Sequence, residues 1–210
     1  MENYITHIGV DESGKGDFFG PLVIAGALVD ENSAKLFTQL GIKDSKKITD
    51  KKILTLEPII KEHAPHSIIT ISNGKYNELY ARMKNLNKLL AWGHARCIEN
   101  ILEKCECTYA ISDKFGNDNL IENALMQKGK TIKLDQIVRG ESDIAVAAAS
   151  VLARATFVRK IAEMQSLYGV DFPKGCANQV KDCAKIFISK FGKNKLHEVC
   201  KTHFKTYNEV

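Results

Sequence analysis

Tyr4-Ile5-Thr6-His7-Ile8-Gly9-Val10-Asp11 (residues 4–11) and Gly20-Pro21-Leu22-Val23-Ile24-Ala25-Gly26-Ala27-Leu28-Val29 (residues 20–29) decide the fold. Each run is apolar, short enough for a buried strand, and bounded by turn residues. Gly14 and Gly16 break the chain between them. The joining segment is too short for a crossover helix, so the pair reads as a hairpin, which argues against a purely parallel, doubly wound sheet. Residues 67–72 (SIITIS) alternate as a strand does, and residues 108–113 (TYAISD) and 131–138 (TIKLDQIV) supply a fourth and a fifth.

Helical stretches are expected between and after the strands. Residues 50–63 follow Thr49, an N-cap candidate. Residues 86–105 place Leu86, Leu89, Leu90, Trp92, Gly93, Cys97, Ile101 and Leu102 close to a 3.6-residue period. Shorter or later candidates are 118–128, 142–166, 178–191 and 194–201. The fold class expected is α/β: a five-stranded mixed sheet flanked by helices, one domain over residues 1–210, with a helical C-terminal extension over about 172–210.

The bulk properties narrow the function only a little. A chain of 210 residues can bury roughly 70% of the surface its unfolded form exposes, so no covalent staple is required. The net charge of +5 is compatible with a polyanionic partner and equally with a solvated surface. The six cysteines, Cys97, Cys105, Cys107, Cys176, Cys183 and Cys200, contain no C-x-x-C pair. Without a signal-peptide pattern in MENYITHIGV, free thiols in a reducing cytoplasm are expected. No apolar run approaches the roughly 20 residues of a membrane span.

The chemistry lies in acids placed at strand ends. Asp11 and Glu12 close the first apolar strand, Asp113 closes the strand at 108–113, and Glu141 precedes an Ala-rich helix. An isolated Asp-Glu pair is usually a solvated strand end. Here the strand is apolar enough to be central, glycines follow that let backbone approach a ligand, and further acids close later elements. Glu141 is preferred to Asp143, because two residues along a helix turn the side chain by about 200°. The helix start Ala145-Val146-Ala147-Ala148-Ala149-Ser150 reflects either plain helix propensity or close packing on the sheet that would bring Glu141 towards Asp11. Carboxylates gathered at one place repel, and burying them unpaired is costly. A divalent cation with oxygen ligands, Mg2+ or Mn2+, relieves that cost. Two such ions about 4 Å apart can clamp the attacking and leaving oxygens of a phosphodiester.

Two look-alikes fail. Gly9 to Lys15 has the G-x-x-x-x-G-K spacing, but Gly16 stands where a P-loop needs Ser or Thr, and two acids would face the phosphates. Gly14-Lys15-Gly16 to Gly20 approaches a dinucleotide fingerprint, but its third glycine comes one position late and a strand follows instead of a helix.

Ile8-Gly9-Val10-Asp11-Glu12-Ser13-Gly14-Lys15-Gly16-Asp17, followed by Gly20-Pro21-Leu22-Val23, resembles the signature of the type 2 ribonucleases H, and most closely ribonuclease HIII. Lys43-Asp44-Ser45-Lys46-Lys47, Ala91-Trp92-Gly93-His94-Ala95-Arg96, and Glu141-Ser142 through Ala147–Arg154 resemble three further blocks, and Pro173-Lys174-Gly175 through His203-Phe204 also fits, so the likeness runs from about 7 to 206. It implies a ribonuclease H-like fold and endonucleolytic cleavage of the RNA strand of an RNA·DNA hybrid, leaving 5′-phosphate and 3′-hydroxyl ends. It places the metal ligands at Asp11, Glu12, Asp113 and Glu141, with two divalent ions. By the same likeness Gly14, Lys15 and Gly16 contact the ribose 2′-hydroxyls that distinguish RNA from DNA, and Ser45 and Lys46 contact backbone phosphate. Glu141 and Lys15 stand where the HII enzymes carry Asp and Arg, which favours HIII. The motif begins ten residues in, so a form without the usual N-terminal hybrid-gripping domain of HIII is expected.

A monomer in the cytoplasm, acting on RNA·DNA hybrid with no membrane contact, is the expectation. The alternatives are an HII-like enzyme that also cuts at single ribonucleotides, a DNA-acting nuclease of the same fold, and a binding module that has lost catalysis. Lys46, Lys47, Lys51 and Lys52, and in the tail Lys174, Lys181, Lys185, Lys190, Lys193, Lys195, Lys201 and Lys205, are candidates for a phosphate track. Trp92 and Phe115 are expected in the core, and His203 is the one histidine singled out for a site role.

Overall fold

The sheet runs β3-β2-β1-β4-β5, with β1 at its centre. In this computed structural model, which describes residues 5–42, 48–116 and 119–210 and of Glu141 the backbone alone, the strands are β1 (His7–Ser13), β2 (Leu22–Val29), β3 (His66–Ile71), β4 (Tyr109–Asp113) and β5 (Lys133–Ile137). β4 lies parallel to β1, with Ile8, Gly9 and Val10 opposite Ala110, Ile111 and Ser112, and β5 lies parallel to β4. Five strands in a mixed sheet agree with the reading of the sequence, each boundary shifted by no more than a few residues.

The helices are α1 (Glu31–Gln39), α2 (Asp50–His63), α3 (Asn73–Met83), α4 (Leu86–Leu102), α5 (Asn119–Ala124), α6 (Ile144–Tyr168), α7 (Asn178–Phe191) and α8 (Lys205–Glu209). Thr49 caps α2 through its hydroxyl, as expected. Residues 194–201 were expected as α-helix, but a 3-10 turn occupies Lys193–Glu198. α1 and α3 had no counterpart in the sequence reading. α1 is started by a capping box in which Asp30 accepts from the Ser33 amide and the Ser33 hydroxyl accepts from the Asp30 amide, and only Ser33, Ala34 and Phe37 along it are buried. Among the described residues no helix is long and apolar enough to cross a membrane.

The chain divides into two compact units. The first comprises residues 1–12, 24–69 and 87–155. Its core is aliphatic, and glycine sets its closest approaches. A Cβ on Gly9 would stand 2.1 Å from the Ala145 carbonyl carbon and the Val146 nitrogen, so the start of α6 rests directly on β1. Ala145, Ala147, Ala148 and Ala149 are fully buried there, so close packing, and not propensity alone, accounts for the alanine run. On α4, a Cβ at Gly93 would meet Ile24 Cδ1 at 2.3 Å. Arg154 ties α6 to α2 through Asp50 Oδ1, at 2.9 Å.

The second unit comprises residues 13–23, 70–86 and 156–210. Its core is aromatic: Phe18 and Phe19 stack edge to face, Phe19 meets Phe172, and Phe187 lies between Tyr168 and Phe191. Lys201, assigned above to a surface track, is instead fully buried. Its Nζ donates to the carbonyls of Asp17 (2.8 Å) and Gly20 (2.6 Å). Burial pushes its pKa down to about 7, against the pull of Asp17.

Two predictions follow from this packing. Gly9→Ala forces backbone apart and should lower stability by about 1–3 kcal/mol or more, whereas Gly74→Ala, which meets open space in α3, should raise it by about 0.5 kcal/mol. Denaturant melts read both. Lys201→Met removes the donor to the Asp17 carbonyl and one of the two donors to the Gly20 carbonyl, which keeps the Asn73 amide, a loss of about 1–3 kcal/mol. Lysine binds its proton less tightly folded (about 7) than at its ordinary value of 10.5. The wild-type advantage over Lys201→Met should therefore grow as pH rises between those values and be smallest below about 7.

Candidate active site

Two neighbouring parallel strands end in acids. The last registered pair of β1 and β4 is Val10 with Ser112, and the next residues along are Asp11 and Asp113, on strands about 5 Å apart. The chain leaves the two strands in opposite directions across the sheet, from β1 to β2 on one side and from β4 to β5 on the other. The carboxyl ends of strands at such a switch point are where open α/β sheets bind ligands.

The period of two along β1 sends its two acids to opposite faces. Asp11 meets α6, where the Ser150 hydroxyl hydrogen-bonds its carboxyl. Its Oδ1 also accepts from the Glu12 amide at 2.7 Å. Glu12 turns to α4, where its Oε2 lies 3.0 Å from His94 Nε2. The other ring nitrogen, Nδ1, lies 2.9 Å from the Ser112 hydroxyl, whose oxygen is also 3.1 Å from the Asp113 carbonyl. Sequence reading named His94 only as part of a block. The available signal was a polar residue on the buried stripe Leu90, Gly93, Cys97 and Ile101; no spacing could pair it with an acid 82 residues away.

Asp113 organises the segment that carries the fourth acid. Its Oδ1 accepts from the Gly140 amide at 2.8 Å. A Cβ on Gly140 would come within 3.0 Å of the Asp113 Cα, so glycine allows the approach. Arg139 before it is left-handed, at φ +60°, and Gly140–Ser142 make a 3-10 turn. The backbone of Glu141 therefore follows directly on a residue bonded to Asp113. The helix begins later than the sequence suggested, at Ile144 instead of 142. Its cap is Asp143, whose Oδ1 accepts from the Ala145 and Val146 amides. The other oxygen of Asp143 is 2.9 Å from His7 Nε2. Burial would lower the His7 pKa, but the bonds to Asp143 and the Ile5 carbonyl outweigh it and the ring is raised above its ordinary value. Both oxygens of Asp143 are thus engaged within the fold.

The electrostatics single out Asp11. Water still reaches part of its surface, yet protein surrounds the carboxyl closely enough to push its pKa up to about 8, with repulsion from Glu12 and Asp113 adding to the burial. Asp11, Glu12 and Asp113 thus lie within electrostatic reach of one another. Among the described side chains, no group of three or more His, Cys, Asp or Glu is arranged to hold an ion. The donors are all carboxylate oxygens, the set that suits a hard divalent cation, and a cation would offset the burial and the repulsion from Glu12 and Asp113 that raise the Asp11 pKa. On both counts the residues fit such an ion.

The Gly14-Lys15-Gly16 turn belongs to the second unit. Gly14 has φ +89°, and a Cβ there would strike the Pro21 carbonyl at 2.2 Å, so only glycine serves. Gly16 faces open space. The turn is braced from behind: Asp17 Oδ1 accepts from the Gly175 amide, and the Phe18 amide donates to the Gly175 carbonyl. His203 stacks on Tyr80 with ring centroids 4.2 Å apart, a packing role. Trp92 and Phe115, expected in the core, are half-buried, Phe115 standing edge-on to His94. Ser45 and Lys46 lie outside the described residues. All six cysteines are free, Cys97, Cys183 and Cys200 being buried.

A family model described as Ribonuclease HII matches residues 8–207. Ribonuclease HIII of Protochlamydia amoebophila is 42% identical over 204 residues, covering 97% of this chain and 68% of that protein. Ribonuclease HIII of Chlamydia felis is 44% identical over 206 residues, covering 97% and 69%. Among solved structures, Bst-RNase HIII in complex with Mn2+ superposes with a TM-score of 0.91 at 30% identity, covering 99% of this chain and 69% of that one. The ribonuclease H2 of Pyrococcus horikoshii OT3, at 21% identity and a TM-score of 0.83, covers 98% and 96% and shares the fold.

Asp11→Asn keeps the side-chain shape and removes the buried charge. A carboxyl raised from 3.8 to about 8 on folding contributes stability that is complete below the lower value and lost as pH rises through the upper one. Chelator-treated wild type should therefore fall in melting temperature relative to Asp11→Asn as pH rises from about 4 to about 9. Adding Mn2+ should raise the wild-type melt and leave the variant nearly unmoved. Parallel pH curves for the two proteins would count against the assignment.

Proposed function

The chain belongs to the ribonuclease HII family, and on that premise we propose that it hydrolyses the RNA strand of RNA·DNA hybrids at Asp11, Glu12, Asp113 and Glu141, leaving 5′-phosphate and 3′-hydroxyl ends. The observation that carries the reading is the placement of Asp11 and Asp113 directly after the last registered pair of two adjacent parallel strands, with Glu12 beside them at the end of the central strand. It is a metal-dependent ribonuclease H, and the ions proposed are two Mg2+ or Mn2+. When bound, they supply positive charge at the attacking water and at the departing 3′ oxygen.

The side chains have distinct tasks in this reading. Asp11 and Asp113 present carboxylates from adjacent strand ends, and Asp113 fixes the Gly140 backbone and so the place from which Glu141 reaches. Glu12 offers a carboxylate whose orientation is set from α4. The Gly14-Lys15-Gly16 turn, followed at once by the Asp17 carboxylate that accepts from the Gly175 amide, meets the ribose 2′-hydroxyls, with Ser45 and Lys46 on backbone phosphate. Glu141 and Lys15, in the places where HII enzymes carry Asp and Arg, favour the HIII type of activity. Residues 1–210 act as a single catalytic domain, extended by the helices of 172–210, and as a monomer in the cytoplasm without membrane contact.

Cleavage should be assayed on a long hybrid, on duplex DNA with one ribonucleotide, and on all-DNA duplex, each with Mg2+, Mn2+ and chelator. The expected result is cutting of the hybrid in either ion, none with chelator and none of all-DNA duplex. Cutting at the single ribonucleotide as efficiently as in the hybrid would move the chain to the HII type, and cutting of all-DNA duplex would refute the proposal. Lys15→Ala should reduce kcat/KM on hybrid by roughly 10-fold or more, the loss of a charged hydrogen bond, without changing the melt.

A further inference from the structure

We infer that His94 is a positioning residue of the active site: it orients the Glu12 carboxylate and ties it to the strand that carries Asp113. The inference rests on the reading that Glu12 is a metal ligand, and it concerns how that ligand is held.

The arrangement is unusual for a buried helix. His94 is fully buried on α4, among leucine, alanine, cysteine and isoleucine, where a phenylalanine or leucine would fill the volume at lower cost. A buried imidazole needs a partner at each nitrogen, and it has both. Nε2 is on Glu12 at 3.0 Å and Nδ1 on Ser112 at 2.9 Å. An ionised carboxylate only accepts, so Nε2 carries the hydrogen and donates. Nδ1 of the neutral ring then accepts the single hydrogen of Ser112, which is itself fully buried and whose oxygen lies 3.1 Å from the Asp113 carbonyl. One ring thus spans the ends of β1 and β4 on the face opposite α6.

The physical need is plain. Glu12 has one more rotatable bond than an aspartate and neighbours whose charge repels it. A donor on the α4 side restricts that extra rotation and holds one carboxylate oxygen at 3.0 Å from the ring. Anchoring one oxygen fixes the direction in which the group presents the other. Close packing places the donor: Gly93 lets α4 press on Ile24, and the Phe115 ring stands edge-on to the imidazole, with centroids 4.8 Å apart, limiting its rotation. Outer partners of this kind typically change metal affinity or activity by 10–100-fold when removed.

The test uses the two amide variants of His94 as opposite halves of the ring. A glutamine places its amide nitrogen near the Nε2 position and keeps the donor to Glu12. An asparagine reaches only the Nδ1 position and keeps the Ser112 partner alone. His94→Gln, His94→Asn and His94→Leu would be compared with wild type, Asp11→Asn and Glu12→Gln in the full chain. Mn2+ binding without nucleic acid is read from the electron paramagnetic resonance of the free ion, alongside kcat and KM on hybrid and the thermal melt. The expected result is Mn2+ affinity and kcat lowered roughly 10–100-fold in His94→Asn and His94→Leu, with KM for hybrid little changed, and values within about three-fold of wild type in His94→Gln.

Wild-type Mn2+ affinity in His94→Asn or His94→Leu overturns the inference, as does a His94→Gln that melts like wild type yet loses affinity as fully as the leucine variant. If the leucine variant fails to fold, the glutamine–asparagine pair decides. A loss in Asp11→Asn without one in His94→Asn sinks only the role of His94. No loss in Asp11→Asn or Glu12→Gln sinks the metal site itself, and the role of His94 with it.

Discussion

Like charges crowded where water is scarce are the constraint from which the active site takes its form. Asp11 sits between Glu12 and Asp113 at the end of the most central strand, and its carboxyl clings to its proton as a result. Such a cluster persists only where its surroundings hold it by other means. The surroundings here do so at three of the acids: Ser150 and a backbone amide on Asp11, His94 on Glu12, the Gly140 amide on Asp113. Each is a hydrogen-bond donor, favouring the ionised form that desolvation and mutual repulsion oppose.

Glycine and alanine give those donors access. Backbone meets backbone where α6 crosses Gly9, and a side chain of β2 fills the hollow left by Gly93 on α4. Two helices thereby approach the central strand from its two faces, one supplying Ser150 and the other His94. The stability of the sheet and the arrangement of the acids are consequently not separable: a larger residue at Gly9 would move the start of α6, and with it the turn that precedes it.

Much of this was legible in the sequence, and the reasons for the rest are physical. Apolar runs ending in Asp11 and Asp113 announced strand ends, because buried strands tolerate acids only at their limits. The alanine run announced close packing. The start of α6 was half legible: the helix begins two residues later than the sequence suggested, because Asp143 itself is the cap. His94 could not be paired with Glu12 by spacing, since tertiary packing alone joins them. Lys201 was misplaced because lysine is so seldom buried, and only the carbonyls of Asp17 and Gly20 account for it. α1 and α3 went unread because each is short and buries few residues.

The buried lysine also bears on the order in which the protein is built. The segment after the Gly14-Lys15-Gly16 turn is held through an amine that lies 184 residues further along the chain. During synthesis, which delivers the N-terminal part first, the turn is made early and acquires this brace only once residue 201 has been added. A nascent chain can pair its early strands and still carry an unfastened turn, so the feature proposed to recognise ribose is among the last to mature.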